Sequence, residues 1–136
     1  MRKNFSFRLG EETIAALDER ASELERSRNE LVERYVREGL RMDQHPPIVF
    51  VDGAAGRRPV LAGTRVSVAD VVETVRELRD SAEAAAEYLG MPVWKVQAAL
   101  RYYADYRHEV DAWIERNRRY AEREEAIWRA ARAAPA

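Results

Sequence analysis

The sequence contains no cysteine, which excludes a disulfide framework and any thiolate metal site. Histidine is scarce: His45 and His108 stand far apart, so neither reads as a metal ligand. The formal charge of −1 gives no global signature of a polyanion-binding protein. No apolar run at the N-terminus has signal-peptide length, and no segment is long enough to span a membrane, so a soluble cytoplasmic protein is expected. Nucleophile–base pairs, glycine-rich phosphate loops and metal-ligand spacings are all missing. Glu122, Glu124 and Glu125 cluster, but interleaved arginines make them a solvated, salt-bridged helical face rather than an acid–base site. The expectation is a non-enzyme with no cofactor, no small-molecule ligand and no membrane partner.

What is present begins at the N-terminus. Lys3 to Leu9 alternates strictly, with Phe5, Phe7 and Leu9 on one face and Asn4, Ser6 and Arg8 on the other. Period-two alternation with aromatics predicts a half-buried β-strand. One short strand at a chain end cannot stand alone, and no strand follows it until much later. Pairing with the same strand of a second copy solves this and collects Asn4, Ser6 and Arg8 of both copies on one polar face. Such a ribbon fits the DNA major groove, where Asn reads adenine and Arg reads guanine. Arg2, Lys3 and Arg8 crowd the segment with no acid among the first ten residues.

After Gly10 the period changes. Ile14, Leu17, Ala21 and Leu24 predict a helix over 11–25, with Glu11 and Glu12 at its positive end. Ser27 and Glu30 read as a capping box, starting a second helix at Arg28 whose apolar face is Leu31, Val32, Tyr35, Val36 and Leu40. That helix ends near Met42. Strand, helix, capped turn and helix resemble the ribbon-helix-helix family of DNA-binding proteins, of the CopG and Arc type. The resemblance implies an obligate homodimer with Phe5, Phe7, Leu9 and Tyr35 in its core. It implies base reading of double-stranded DNA by Asn4, Ser6 and Arg8, and phosphate binding by Lys3, Ser27, Arg28 and Asn29. A helix N-terminus suits the latter, since free N–H groups and the positive dipole end meet an anion. Arg26 stands where the family often has glycine before the cap. A dimerisation module without DNA binding is the alternative.

His45, Pro46 and Pro47 cannot continue a helix and read as a stiff linker. Ile48 to Val51 is a β-run, Asp52, Gly53 and Gly56 a turn, and Pro59, Val60, Leu61 and Val66 a second strand interrupted at Gly63, Thr64 and Arg65. Arg57, Arg58 and Arg65 read as solvated or paired with local acids more readily than as phosphate ligands. Ser67 with Asp70 and then Ser81 predict two capped helices, the first carrying the stripe Val68, Val71, Val72, Val75 and Leu78, the second running from Ala82 to Leu89. Pro92 predicts the first position of a third helix, with Val93, Val96, Leu100 and Tyr103 inward. Ala86, Gly90 and Val96 have the spacing of a helix-turn-helix, with Trp94, Lys95, Gln97 and Arg101 on its second helix. The weak positive charge favours a structural or protein-binding role for it over DNA reading. Beyond Glu109, the residues Val110, Trp113, Ile114, Tyr120, Ala121, Ile127 and Trp128 predict a long amphipathic helix.

Pro59 to Val68 and Ala98 to Ala104, continued by Glu109, Val110 and Asp111, resemble family 433 of the domains of unknown function, over about residues 46–117. Proteins of that family look like type II antitoxins encoded beside PIN-domain ribonuclease toxins. The family often places a proline near Arg107 or His108, and its absence leaves a helix break there undecided. Such nucleases gather acidic side chains around a metal, so an inhibitor needs cations that reach them. The long helix, with no core left to cover, is expected to bind the toxin through Trp113, Trp128, Arg129 and Arg132, with Arg118 and Arg119 as alternative donors. Folding back on its own domain or on the dimer mate is the alternative.

The expected architecture is mainly α, with a ribbon-helix-helix, a short β-hairpin, and a helix-turn-helix domain with a long C-terminal helix. Its divisions are 1–43 for dimerisation and DNA binding, 44–58 for linker and hairpin start, 59–117 for the antitoxin domain and 118–136 for the helical extension. The expected function is an antitoxin that represses its own operon from its operator and neutralises a PIN-type toxin. The alternative is a dimeric transcriptional regulator without a toxin partner.

Overall fold

The computed structural model describes residues 1–133, which are mainly helical. Two compact units divide the chain, residues 1–43 and the chain from Gln44 onward. No helix among the described residues is long and apolar enough to cross a membrane.

In the first unit, residues 1–10 carry no strand in the single chain and all are exposed. A strand needs a ladder partner, and the only one expected for it is a second copy. The Phe5 and Phe7 rings lie 5.8 Å apart, tilted by 38°. Helix α1 (Glu11–Glu23) opens with Glu11 and Glu12 at its positive end. It ends two residues before the expected Glu25, because Glu25 adopts a left-handed conformation with φ of 53°. There the Glu25 N–H donates to Ser22 O at 3.2 Å and the Arg26 N–H to Ala21 O at 2.9 Å, closing the helix as a Schellman turn. The position that glycine would suit is therefore Glu25, one residue before the expected Arg26. A Cβ in that conformation clashes with the following carbonyl. Glu25→Gly is expected to stabilise the unit by about 0.5–1 kcal/mol, after the extra freedom glycine has when unfolded. A denaturation midpoint that falls would contradict this.

Helix α2 (Arg28–Gln44) starts beneath Ser27, whose Oγ accepts the Glu30 N–H at 3.1 Å. Arg2 reaches this helix, its guanidinium 2.9 Å from the Glu33 carboxylate. The core of the unit is small: Leu17, Ala21 and Leu31 are buried, with Leu24 and Val32 against them.

In the second unit, the expected linker is a packed corner. His45 is buried, edge-on to Tyr102 at 5.2 Å and Tyr106 at 6.0 Å, with Nε2 2.8 Å from the Asp105 carboxylate. Strands β1 (Ile48–Gly53) and β2 (Gly56–Leu61) form an antiparallel hairpin around Ala54 and Ala55, pairing Ile48 with Leu61 and Gly53 with Gly56. The expected division between residues 58 and 59 falls inside β2. Arg57 lies 3.4 Å from Asp52 across the hairpin. Thr64 closes the tight turn after β2, its hydroxyl donating to Leu61 O at 2.8 Å and accepting the Val66 N–H at 3.1 Å.

Helix α3 (Val68–Glu77) has the expected capping box: Ser67 Oγ accepts the Asp70 N–H, and the Asp70 carboxylate accepts the Ser67 N–H, both at 3.0 Å. Ser81 caps α4 (Ala82–Leu89), accepting the Ala84 N–H at 3.0 Å, and Gly90 ends that helix in the left-handed region. Pro92 is extended and stands just before α5 (Val93–Asp105) instead of within its first turn. The fully buried tyrosine of α5 is Tyr102, not the expected Tyr103, since Val96, Ala99 and Tyr102 recur every three residues on the face turned to the core. Tyr103 is half-buried, and its hydroxyl donates to Asp111 at 2.8 Å.

The chain does break before His108. Tyr106 leaves the helical conformation at φ −127°, its ring tilted against Tyr102 at 4.7 Å, and α6 (Arg107–Ala133) starts a new direction without proline. Arg76 of α3 clamps α6, 2.9 Å from the Asp111 carboxylate. Burial pushes the Asp111 carboxyl up, but the hydrogen bonds from Arg76 and Tyr103 outweigh it and hold it below the usual aspartate range. A depressed carboxyl stabilises the fold above its ordinary range and loses that contribution as pH falls through it. The core gathers Ile48, Leu61, Val68, Val71, Val96, Ala99, Tyr102 and Val110. From Arg118 to Ala133 every residue of α6 is exposed. The remainder of the expected 118–136 extension, residues 134–136, lies outside the described residues.

Candidate nucleic-acid interface

The first unit exposes an apolar set too large for a surface. Phe5, Phe7, Leu9, Tyr35, Val36 and Leu40 are all exposed, and Phe7 is 51% accessible. Residues on a three-residue buried core with such a face have not finished burying their apolar area. Asn4, Ser6 and Arg8 alternate with the phenylalanines and are exposed, as is Lys3.

At the start of α2, Ser27 spends its hydroxyl on the Glu30 N–H, and its carbonyl accepts the Leu31 N–H at 3.1 Å. The first-turn amides of Arg28 and Asn29 have no carbonyl one turn earlier to meet. The Arg28 side chain is engaged: its guanidinium grips Asp18 of α1 through Nε and Nη2, both at 2.7 Å. This hydrogen bond raises the Arg28 pKa and lowers that of Asp18. Asp18 escapes a sequence reading because nothing in the spacing of ten residues marks it as a partner of Arg28.

In the second unit, Ala86 and Val96 are buried around the Gly90 turn, so α4 and α5 form a helix-turn-helix pair. Trp94, Gln97 and Arg101 are exposed on α5, and the Lys95 ammonium lies 5.7 Å from the Trp94 ring centre. Lys95 and Arg101 are the only cations on α4 and α5, beside Glu83, Glu87 and Asp105, which gives a phosphate backbone little to bind here.

The residues expected to bind a toxin separate into two groups. Trp113 is taken by its own domain: it packs against the core, a Cβ at Gly56 would meet its ring at 3.8 Å, and Arg116 stacks over it at 4.9 Å. Its half-burial removes it from an open surface. Arg118 and Arg119 both hold Glu115, at 2.7 and 3.1 Å, and Arg129 holds Glu125. Arg132 lies over the exposed Trp128 ring at 4.6 Å, a cation–π pair at the end of the helix. Tyr120 and Ile127 are exposed with Trp128, and 120, 124, 127, 128 and 131 fall on one helical stripe.

Residues 3–41 match the ribbon-helix-helix protein, copG family, and residues 48–103 match a protein of unknown function, DUF433. The chain thus joins a ribbon-helix-helix segment to a DUF433 segment, and α6 lies beyond both. No curated protein and no solved structure matches it significantly. Ribbon-helix-helix domains bind DNA, form dimers and are not enzymes.

Proposed function

We propose that this ribbon-helix-helix chain with a DUF433 segment is the antitoxin of a type II toxin–antitoxin pair, acting in the cytoplasm. Two copies pair their N-terminal segments into a ribbon, burying Phe5, Phe7, Leu9 and Tyr35. The ribbon enters the major groove of the operon's own operator, with Asn4, Ser6 and Arg8 reading bases. Lys3 and the amides of Arg28 and Asn29 hold phosphates on either side. Exposed α6 beyond Asn117 covers a PIN-type ribonuclease, with Trp128 as apolar anchor and Arg132 as the cation aimed at its acidic site. Arg118, Arg119 and Arg129 exchange their intrahelical glutamates for acids of the toxin.

The observation that carries the reading is the exposed row Phe5, Phe7, Leu9, Tyr35 and Val36 beside the polar row Asn4, Ser6 and Arg8. An apolar face with a basic, amide-bearing face behind it is what a groove-binding dimer requires. Gel shifts on the chain's own upstream DNA, with and without the product of the neighbouring gene, test it. Retarded DNA whose mobility the second protein alters supports the full reading, and retardation that it leaves unaltered reduces the chain to a regulator.

Arg8→Ala is expected to cost about 1–3 kcal/mol in operator binding, because a bidentate arginine–guanine contact discriminates by that amount. Titration of operator and random duplex separates the roles. An equal loss on both would make Arg8 a phosphate contact.

A further inference from the structure

The Arg28–Asp18 pair has the form of a DNA phosphate contact made within the chain. Arg28 heads α2, the end that offers free amides. Its guanidinium holds the two carboxylate oxygens of Asp18 through parallel bonds of 2.7 Å each. This fork is the geometry in which arginine takes two oxygens of a phosphate. Both partners are half-exposed, at 53% and 49%, so water and salt reach the pair and hold its net value low.

Resting on the DNA-binding reading above, we propose that Asp18 competes with DNA phosphate for Arg28, and so sets the affinity and the salt dependence of DNA binding without touching a base. In the free protein the Asp18 carboxylate occupies the Arg28 fork. On the duplex a phosphate oxygen pair takes its place, and Asp18 is left bare beside the polyanion. The bare carboxylate then recruits a cation from solution. That uptake offsets one of the cations the DNA releases where Arg28 neutralises it. The pair therefore acts as a built-in attenuator, which weakens binding to every sequence equally. It also keeps Arg28 extended towards α1 in the free protein, so the side chain is ordered before the phosphate arrives.

The test is a salt titration of binding to operator and to random duplex by the native full-length chain, Asp18→Asn and Asp18→Asn/Arg28→Ala. Asp18→Asn is expected to bind both duplexes about three- to tenfold tighter, since the Arg28 fork then meets the phosphate without first giving up an exposed carboxylate partner. Its plot of log affinity against log salt should steepen by about one per protomer. The double variant should lose both gains, since the effect runs through Arg28. Thermal melting checks each variant, and Asp18→Ala replaces Asp18→Asn if the amide destabilises α1. Unchanged or weaker binding by a folded Asp18 variant overturns the proposal and leaves the pair as a staple of the α1–α2 turn. A gain confined to the operator also overturns it, because phosphate competition is blind to sequence. A native chain that binds neither duplex removes the DNA-binding reading itself, a result distinct from either.

Discussion

Phe7→Ala is expected to unfold the first unit outright instead of only weakening its grip on DNA. In one chain Phe7 is half-exposed, and the unit's buried core is Leu17, Ala21 and Leu31 alone. A core that small has little reserve, and the stability of an obligate dimer is inseparable from association. Truncating a phenylalanine buried at such an interface costs roughly 3–5 kcal/mol, and symmetry applies the loss twice. Sedimentation and circular dichroism read the outcome together. The native chain should sediment as a dimer, while the variant should sediment as a monomer and lose the helical signal of α1 and α2. A variant that stays a folded dimer would remove the paired ribbon and with it the placing of Asn4, Ser6 and Arg8.

The second large effect lies at the other end of the sequence. Ending the chain after Asn117 removes residues 118–136, and those described among them are all exposed and outside the buried core. The core contributed by α6 is Val110, with Trp113 and Ile114 against it, all of which remain. DNA binding should therefore be unchanged within error. Neutralisation of the neighbouring nuclease should be abolished, since the cut takes away Trp128 and Arg132, the aromatic and arginine types that dominate binding energy at interfaces. Co-expression at equal abundance measures it. Continued suppression of toxicity by the shortened chain would move the inhibitory surface to the helix-turn-helix pair.

How far the fold was legible in the sequence depends on the range of the interaction responsible. The capping box of Ser67 and Asp70, the cap at Ser81 and the turn at Gly90 are local, complete within four or five residues, and all form as read. The choice of Tyr102 over Tyr103 is not local. Adjacent tyrosines on a helix differ by about 100° in direction, and which one faces inward is decided by His45 and Phe50, both edge-on to Tyr102 and remote in sequence. The same aromatic cluster turned an expected linker into a buried corner and ended α5 without proline. Glu25 was hidden for a different reason: a non-glycine left-handed residue leaves no mark on composition. At the candidate site, the polar row of the N-terminal segment was readable from its alternation, whereas the Asp18 partner of Arg28 required the two helices to be placed side by side.

The bareness of α6 from Arg118 onward has a consequence for how the chain can change over time. Substitutions at exposed positions away from caps and cores usually alter stability by less than about 0.5 kcal/mol. Tyr120, Ile127, Trp128 and their flanking arginines can therefore drift to follow an altered partner without passing through an unfolded intermediate genotype. Tyr102, Val96 and Ile48 have no such latitude, since each is fully enclosed. On the proposed role of α6, divergent copies of this chain would keep their scaffold while partner choice is rewritten in one helix, one residue at a time.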